Sequence, residues 1–402
     1  MEKFKVLRLN ESLLRVLQEE GFKEPTEVQE KAIPLALEGK DILASSATGS
    51  GKTLAFGASI IEASVKGKGV QALILTPTRE LAEQVSTTLR RFSKLHRLTV
   101  TEVYGGVAIN PQIQRIGRSE IIVGTPGRIL DHLQRRSLDI SKIKTLVLDE
   151  ADRMLDMGFI DDIKKIIEKC PKHRQTMLFS ATISRDIERI ANNYMNNPIR
   201  IDINNQVDPS KLKQVYYDIP QQIKFSLLVH FLRKEEVRLV MVFCNTKRNV
   251  DFLAENLKLN NVDTLAIHGG FSQNKRNETM IKFHSGKTKV LICTDVAARG
   301  LDIKNVSHIY NYDVPKTSTE YIHRIGRTAR AGKDGIAVSL LCSRDYDNFQ
   351  RVISDRRLKI IKEEAPHVEI LKINVQPKWN FKRNFRDRNS GRGYQHGHRW
   401  NY

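Results

Sequence analysis

Two tandem doubly wound α/β domains with parallel sheets, followed by a disordered basic tail, are the fold the sequence predicts. Three observations carry this. The length of 402 residues suits about two domains, at roughly 100 to 200 residues per domain. Short runs rich in Val, Ile and Leu recur without polar alternation, as strands do when a parallel sheet is covered on both faces. Amphipathic helical stretches separate those runs, and the strand-helix alternation is gone through twice.

In chain order, the expected strands of the first half are DILAS (41–45), QALILTP (71–77), EIIVGTP (120–126), TLVLDE (145–150) and TMLFSAT (176–182). Those of the second half are RLVMVFCN (238–245), DTLAIHGG (263–270), KVLICTD (289–295), HIYNYD (308–313) and IAVSLLC (336–342). Between them, Leu81, Val85, Leu89 and Phe92 share one face of a helix, and Val250, Leu253 and Leu257 share one face of another opened by Asn245 and Thr246. The polar stretch 203–214, with Pro209, is the expected seam, giving domains 1–205 and 206–365. From 366 to 402 the pattern decays. Residues 377–402 carry seven basic residues, one acid and both tryptophans, with almost no aliphatics, and read as a disordered tail.

Composition narrows the function classes. No apolar run approaches the roughly 18 residues a membrane span needs, and the N-terminal stretch mixes charges through its apolar positions instead of forming a signal core. A cytoplasmic protein is the expectation. Cys170, Cys244, Cys293 and Cys342 are scattered, form no CxxC and read as buried thiols. The excess of 66 Lys plus Arg over 46 Asp plus Glu, a net +20, calls for a polyanionic partner, nucleic acid or anionic lipid.

Residues 46–53 read SATGSGKT directly after a strand. Thr48, Gly49, Ser50 and Gly51 can curl backbone N–H groups around phosphates at a helix N-terminus; Lys52 can reach the β and γ phosphates of ATP and Thr53 can hold Mg²⁺. The opening Ser46 departs slightly from the usual phosphate-loop pattern. About a hundred residues on, LVLDEAD (146–152) runs a buried strand into three carboxylates. With a phosphate loop upstream, Asp149 is placed to face Mg²⁺ and Glu150 to polarise the attacking water. Strand alternation would send Asp149 and Ala151 to one side, Glu150 and Asp152 to the other. Together the motifs point to a nucleoside triphosphatase. The second half has no GKT, so one triphosphate is expected; it offers YIHRIGRTARAG (321–332), in which His323, Arg324, Arg327 and Arg330 return near one helix face.

From about residue 4 to residue 342 the chain resembles the DEAD-box RNA helicases motif by motif, which implies two RecA-like domains and an RNA-dependent ATPase. The family's adenine element is matched by GFKEPTEVQ (21–29), with Phe4 upstream: the resemblance implies that Phe22 stacks on the base, Gln29 bonds its edge and Thr26 supports the loop. It implies RNA contacts from Pro77 and Arg79 of PTREL, from Gly106, and from Thr125 and Arg128 of TPGR; these arginines, glycines and hydroxyls suit a sugar-phosphate chain without reading bases. Ser180 and Thr182 of SAT are implied to couple ATP state to RNA binding through the DEAD carboxylates, including Asp152. Arg327 and Arg330 become the fingers that neutralise the transferring phosphoryl group, while His323 and Arg324 bond across the cleft. Asn245, Gly269 and Thr294 are implied RNA contacts, Asp295 a coupling group, and Gln273 and Arg276 of QNKR belong to the RNA contact and cleft. Arg299 and Gly300 line the cleft, Gly300 on the nucleotide side, and Asp302 meets the ribose hydroxyls.

The expectation is therefore a monomeric RNA-dependent ATPase that locally opens short RNA duplexes or remodels RNA-protein complexes, with ATP, Mg²⁺ and RNA as ligands and ribonucleoprotein components as possible partners. An ATP-gated RNA clamp that barely unwinds uses the same residues. A DNA translocase shares the two-lobed plan, but GFKEPTEVQ and the DEAD letters speak against it. In the tail, Trp379, Phe381, Phe385, Tyr394 and Trp400 could stack on bases among arginines that meet phosphates.

Overall fold

The computed structural model describes residues 1–46, 49–203, 212–234, 238–298, 303, 306–329 and 334–373. The first sheet contains β1 (Ile42–Ser45), β2 (Ala72–Leu75), β3 (Val100–Val103), β4 (Ile121–Gly124), β5 (Thr145–Asp149), β6 (Gln175–Ser180) and β7 (Ile199–Asp202), in the order β3-β4-β2-β5-β6-β1-β7. The second contains β8 (Leu212–Asp218), β9 (Leu239–Cys244), β10 (Thr264–Ile267), β11 (Val290–Thr294), β12 (Val306–Asn311), β13 (Gly335–Leu341) and β14 (Ile361–Lys362), in the order β10-β11-β9-β12-β13-β8-β14. Every pairing is parallel. Subtracting seven from each label of the second sheet reproduces the first, so the two domains share one winding.

Each sheet is covered on both faces, as the continuous apolar runs require. In β2, Ile74 packs into one core and Leu73 and Leu75 into the opposite one; in β9, Val240 and Val242 oppose Met241 and Phe243. The helix Arg79–Phe92 buries Val85, Leu89 and Phe92 with Leu81 partly covered, and the helix Lys247–Leu259 buries Val250, Leu253 and Leu257 behind a Thr246 cap. All four cysteines are buried and free.

Two expectations are corrected. The seam proposed at 203–214 runs into β8 at Leu212, while the remaining seam residues 204–211 lie outside the described residues. The tail does not begin at 366: Ala365, Val368 and Leu371 pack on the second domain's core, and the Leu371 N–H donates to Ser226 Oγ at 2.9 Å. The tail aromatics from Trp379 onward lie outside the described residues. No helix among the described residues is long and apolar enough to cross a membrane.

Candidate active site at the domain cleft

Topology decides which loops can meet. In a parallel sheet the loops at the carboxyl ends of the strands carry the ligands. The phosphate loop follows β1, the DEAD residues follow β5 and SAT ends β6, and these three strands are neighbours. PTREL follows β2, Gly106 follows β3 and TPGR follows β4, neighbours on the other half of the same edge. The second domain repeats the division: Asn245, Gly269 and Thr294 stand at the ends of β9, β10 and β11, the counterparts of β2, β3 and β4, while His323 to Arg327 lie between β12 and β13.

Gly49 and Gly51 take positive φ (80° and 93°), and Gly51 caps the helix Lys52–Ala63, whose first N–H groups are free to face an anion. Gln29 holds this loop from behind. Its Nε2 donates to Gly51 O at 3.1 Å and its Oε1 accepts the Thr26 N–H at 2.9 Å, which also caps the helix Glu27–Leu37. Gln29 is thus a latch on the phosphate loop, with one amide N–H left for a base. Phe22 is half-buried, edge-on to Phe92 (5.8 Å between centroids) and to Phe4 (6.3 Å), and Phe4 itself is core.

Lys52 is buried, with Nζ 3.4 Å from Ser46 O and 3.6 Å from Asp149 Oδ1. Burial pushes the Asp149 carboxyl up against the pull of Lys52, and Asp149 Oδ1 has no hydrogen-bond partner among the described residues. An orphaned carboxylate oxygen beside a phosphate loop fits a divalent cation.

The alternation expected through DEAD does not hold. Glu150 adopts a left-handed conformation (φ 53°), the strand ends at Asp149, and a helix starts at Ala151. Asp152 is thereby carried to SAT. Its Oδ2 accepts the Ala181 N–H (3.2 Å), the Thr182 N–H (3.0 Å) and the Thr182 hydroxyl (3.1 Å), while Ser180 Oγ accepts the Asp152 N–H (3.2 Å). Glu150 pairs at 2.5 Å with Arg153, a partner that the i,i+3 spacing allows but that no motif singles out. Burial opposes ionisation of Glu150, but Arg153, Lys52 and Arg327 outweigh it and the carboxyl titrates below its ordinary range.

Across the cleft, His323 Nε2 lies 3.3 Å from Asp152 Oδ2; burial works against the Asp152 carboxylate, yet this hydrogen bond and charge hold its titration well below normal. The helix Ser318–Ile325 ends before Arg327, so the basic residues do not continue on one helix face. Arg327 is nonetheless buried in the same cleft of about 590 Å³ as Phe22, Lys52, Thr53, Asp149 and Glu150. Arg276 forms a second bridge, with Nη1 2.5 Å from Glu80 Oε1 of PTREL. Gln273 bonds Asn277 on its own helix.

Two expected roles change. Arg324 does not span the cleft: it bonds Asp295 through two nitrogens (2.6 Å each), Asn311 Oδ1 (3.1 Å), Asp313 O (2.6 Å) and Asn245 Oδ1 (2.8 Å), all in its own domain. A guanidinium only 1% exposed needs such a full set of acceptors, and its own domain supplies them. Asn245 is therefore turned inward, its Nδ2 donating to Val314 O at 2.9 Å, and Thr246 and Lys247 are left on the surface.

On the first domain, the Arg79 guanidinium lies against Gly106, whose positive φ (77°) favours glycine. Arg128 donates to Val107 O at 3.1 and 3.2 Å, tying TPGR to the Gly106 turn, and Thr125 leads the helix Pro126–Gln134. Pro77 and Thr294 are buried. Thr48, Arg299, Gly300, Asp302 and Arg330 lie outside the described residues.

The DEAD/DEAH box helicase family model matches residues 26–190, and the helicase conserved C-terminal domain model matches residues 223–332. The DEAD-box ATP-dependent RNA helicase CshA of Geobacillus kaustophilus is 42% identical over 372 residues, 92% of this chain and 80% of that protein. The chain belongs to the DEAD-box ATP-dependent RNA helicase family. Membership makes it an ATP hydrolase of tandem RecA-like architecture. Among solved structures, S. cerevisiae Dbp5 bound to RNA and ADP BeF3 is 31% identical, with 91% of this chain and 96% of that chain covered and a TM-score of 0.81. A DEAD box protein from Methanococcus jannaschii is 40% identical, with 90% and 99% covered and a TM-score of 0.56.

Proposed function

We propose that this DEAD-box helicase closes on ATP and single-stranded RNA together and opens a few base pairs locally, hydrolysis resetting the clamp. The carrying observation is that Lys52 and Glu150 from one domain and Arg327 from the other line a single cleft. Lys52 and the N–H groups of the phosphate loop grip the triphosphate; Phe22 and the free N–H of Gln29 take the adenine. Asp149 and Thr53 would hold Mg²⁺, which suits one carboxylate completed by phosphate oxygens and water, and which supplies charge neutralisation at those phosphates. Glu150, ionised beside its cations, orients the attacking water, and Arg327 meets the charge developing on the transferring phosphoryl group. Arg79, Gly106 and Arg128 on one side and Gly269 on the other bind the RNA backbone.

The better superposition on the RNA- and ADP BeF3-bound yeast protein, despite its lower identity, supports this domain placement as the nucleotide- and RNA-engaged one. The two bridges, His323 to Asp152 and Arg276 to Glu80, would also serve a clamp that holds RNA without separating strands. A strand-separation assay on a short RNA duplex, with ATP and with a non-hydrolysable analogue, decides. Separation with ATP supports the helicase reading; RNA-stimulated hydrolysis without separation gives the clamp; equal stimulation by RNA and DNA of one sequence removes the RNA assignment.

A further inference from the structure

The turn after β10 is built around a histidine that does not line the nucleotide cleft described above. His268 is 6% exposed. Its Nε2 lies 2.9 Å from Asp251 Oδ1 on the helix Lys247–Leu259, and its Nδ1 accepts the Gly270 N–H at 3.0 Å. A backbone N–H can only donate, so Nδ1 must present its lone pair and Nε2 must carry the hydrogen that Asp251 receives. Phe271 packs on the ring at 4.2 Å between centroids and carries Lys275 Nζ 4.0 Å above its own ring. The imidazole lies so close beneath the turn that a Cβ at 270 would sit 2.9 Å from its Cε1 and 3.0 Å from its Nδ1; φ at Gly270 is not positive, so this glycine is dictated by the histidine and not by backbone conformation.

What the histidine presents is an exposed pair, Gly269 and Gly270, beside Lys247. A Cβ at 269 would lie 3.9 Å from Lys247 Nζ, while Lys275 Nζ stands over the Phe271 ring that packs on His268. Exposed glycine backbone next to one ammonium group, with a second on the neighbouring aromatic, is suited to seat a phosphate of the RNA chain. We propose that His268, oriented by Asp251, is the positioning residue that fixes this seat in the second domain, and that Lys247 and Lys275 supply its charge. This rests on the RNA-binding reading above.

The test is RNA-stimulated ATPase activity with single-stranded oligoribonucleotide as the varied ligand. Losing one buried acceptor of a backbone N–H should raise the half-saturating RNA concentration of His268→Ala about tenfold. Turnover at saturating RNA and the KM for ATP should change by less than about twofold, because the loss falls on ground-state RNA binding. His268→Asn, whose carbonyl oxygen can stand near the Nδ1 position, should recover most of the loss. Gly270→Ala should weaken RNA binding in the wild-type background and add little in His268→Ala, where the ring it collides with is gone. Asp251→Ala alters a half-exposed side chain, so folding is spared and the same direction is expected with smaller size. Additive effects at 268 and 270, or an unchanged half-saturating RNA concentration in both His268→Ala and Asp251→Ala, overturn the assignment. A wild-type ATPase that RNA does not stimulate would instead refute the underlying RNA reading.

Discussion

The ion pair between Arg276 and Glu80 can be weighed against the closure of the cleft. The two side chains are 14% and 10% exposed, come from different domains and stand 2.5 Å apart, though angled away from a hydrogen-bond line, since Glu80 Oε1 has no geometric hydrogen bond. At an effective dielectric of about 20, the attraction is about 6 to 7 kcal/mol. Drawing both groups out of water as the domains close offsets most of it, leaving about 1 to 3 kcal/mol in favour of the closed form. That range corresponds to about 5- to 150-fold in the closure equilibrium. If the pair is made only on the proposed closure, its removal should leave nucleotide binding without RNA unchanged and lower RNA-stimulated kcat/KM by that factor. A double-mutant cycle with Arg276→Gln and Glu80→Gln isolates the pair: the double variant should be little worse than the weaker single. If the two effects simply multiply, the residues act separately and the bridge does not stabilise closure.

Other expectations are sharper in direction than in size. Arg327→Ala should spare binding of a fluorescent ATP analogue while cutting RNA-stimulated turnover by about 10³- to 10⁵-fold, read by steady-state ATPase assay. Lys52→Ala should weaken that analogue's binding itself, by direct titration. Asp152 titrates lower in the folded protein than its unfolded value of about 3.9, so its contribution to stability is present above about pH 4 and is lost as pH falls through the folded value. Thermal unfolding of Asp152→Asn should therefore show a smaller loss of Tm than wild type on moving from pH 5 to pH 3. Removal of residues 377–402 should raise the RNA Kd and flatten its salt dependence, the log-log slope falling by about 0.7 for every RNA phosphate the tail neutralises.

What the sequence displayed was the part of the site written in local chemistry. A phosphate loop needs small residues and a lysine in series, and a buried strand that runs into acids needs a positive partner at its end, so the sequence singles out Lys52, Asp149 and Glu150, which line one cleft. The partners were hidden because they are tertiary. Nothing near Glu80 in the chain names Arg276, and a histidine-arginine pair reads as two cleft residues until the fold surrounds Arg324 with Asp295, Asn311 and Asn245. Strands showed the same divide. The unforeseen β7 and β14 are sheet edges, short or charged, and β8 alternates buried and exposed positions instead of forming a continuous apolar run.

The shared winding accounts for the two latches seen between the domains among the described residues. In each domain the loops after the strands corresponding to β2, β3 and β4 form one half of the ligand edge, and those around β1, β5 and β6 form the other. Arg276, in the helix after β10, meets Glu80, in the helix after β2, so the halves assigned above to RNA meet; His323, between β12 and β13, meets Asp152, after β5, so the halves assigned to the nucleotide meet. One rigid-body placement makes both bridges. Closure on both ligands together, as proposed, would form both latches at once, so each ligand would lower the cost of binding its counterpart without the two ligands touching. Breaking the Arg276 latch should consequently weaken ATP binding only when RNA is present, and breaking the His323 latch should weaken RNA binding only when ATP is present. A weakening in either singly liganded state would show that the latch supports its own domain and not the closure.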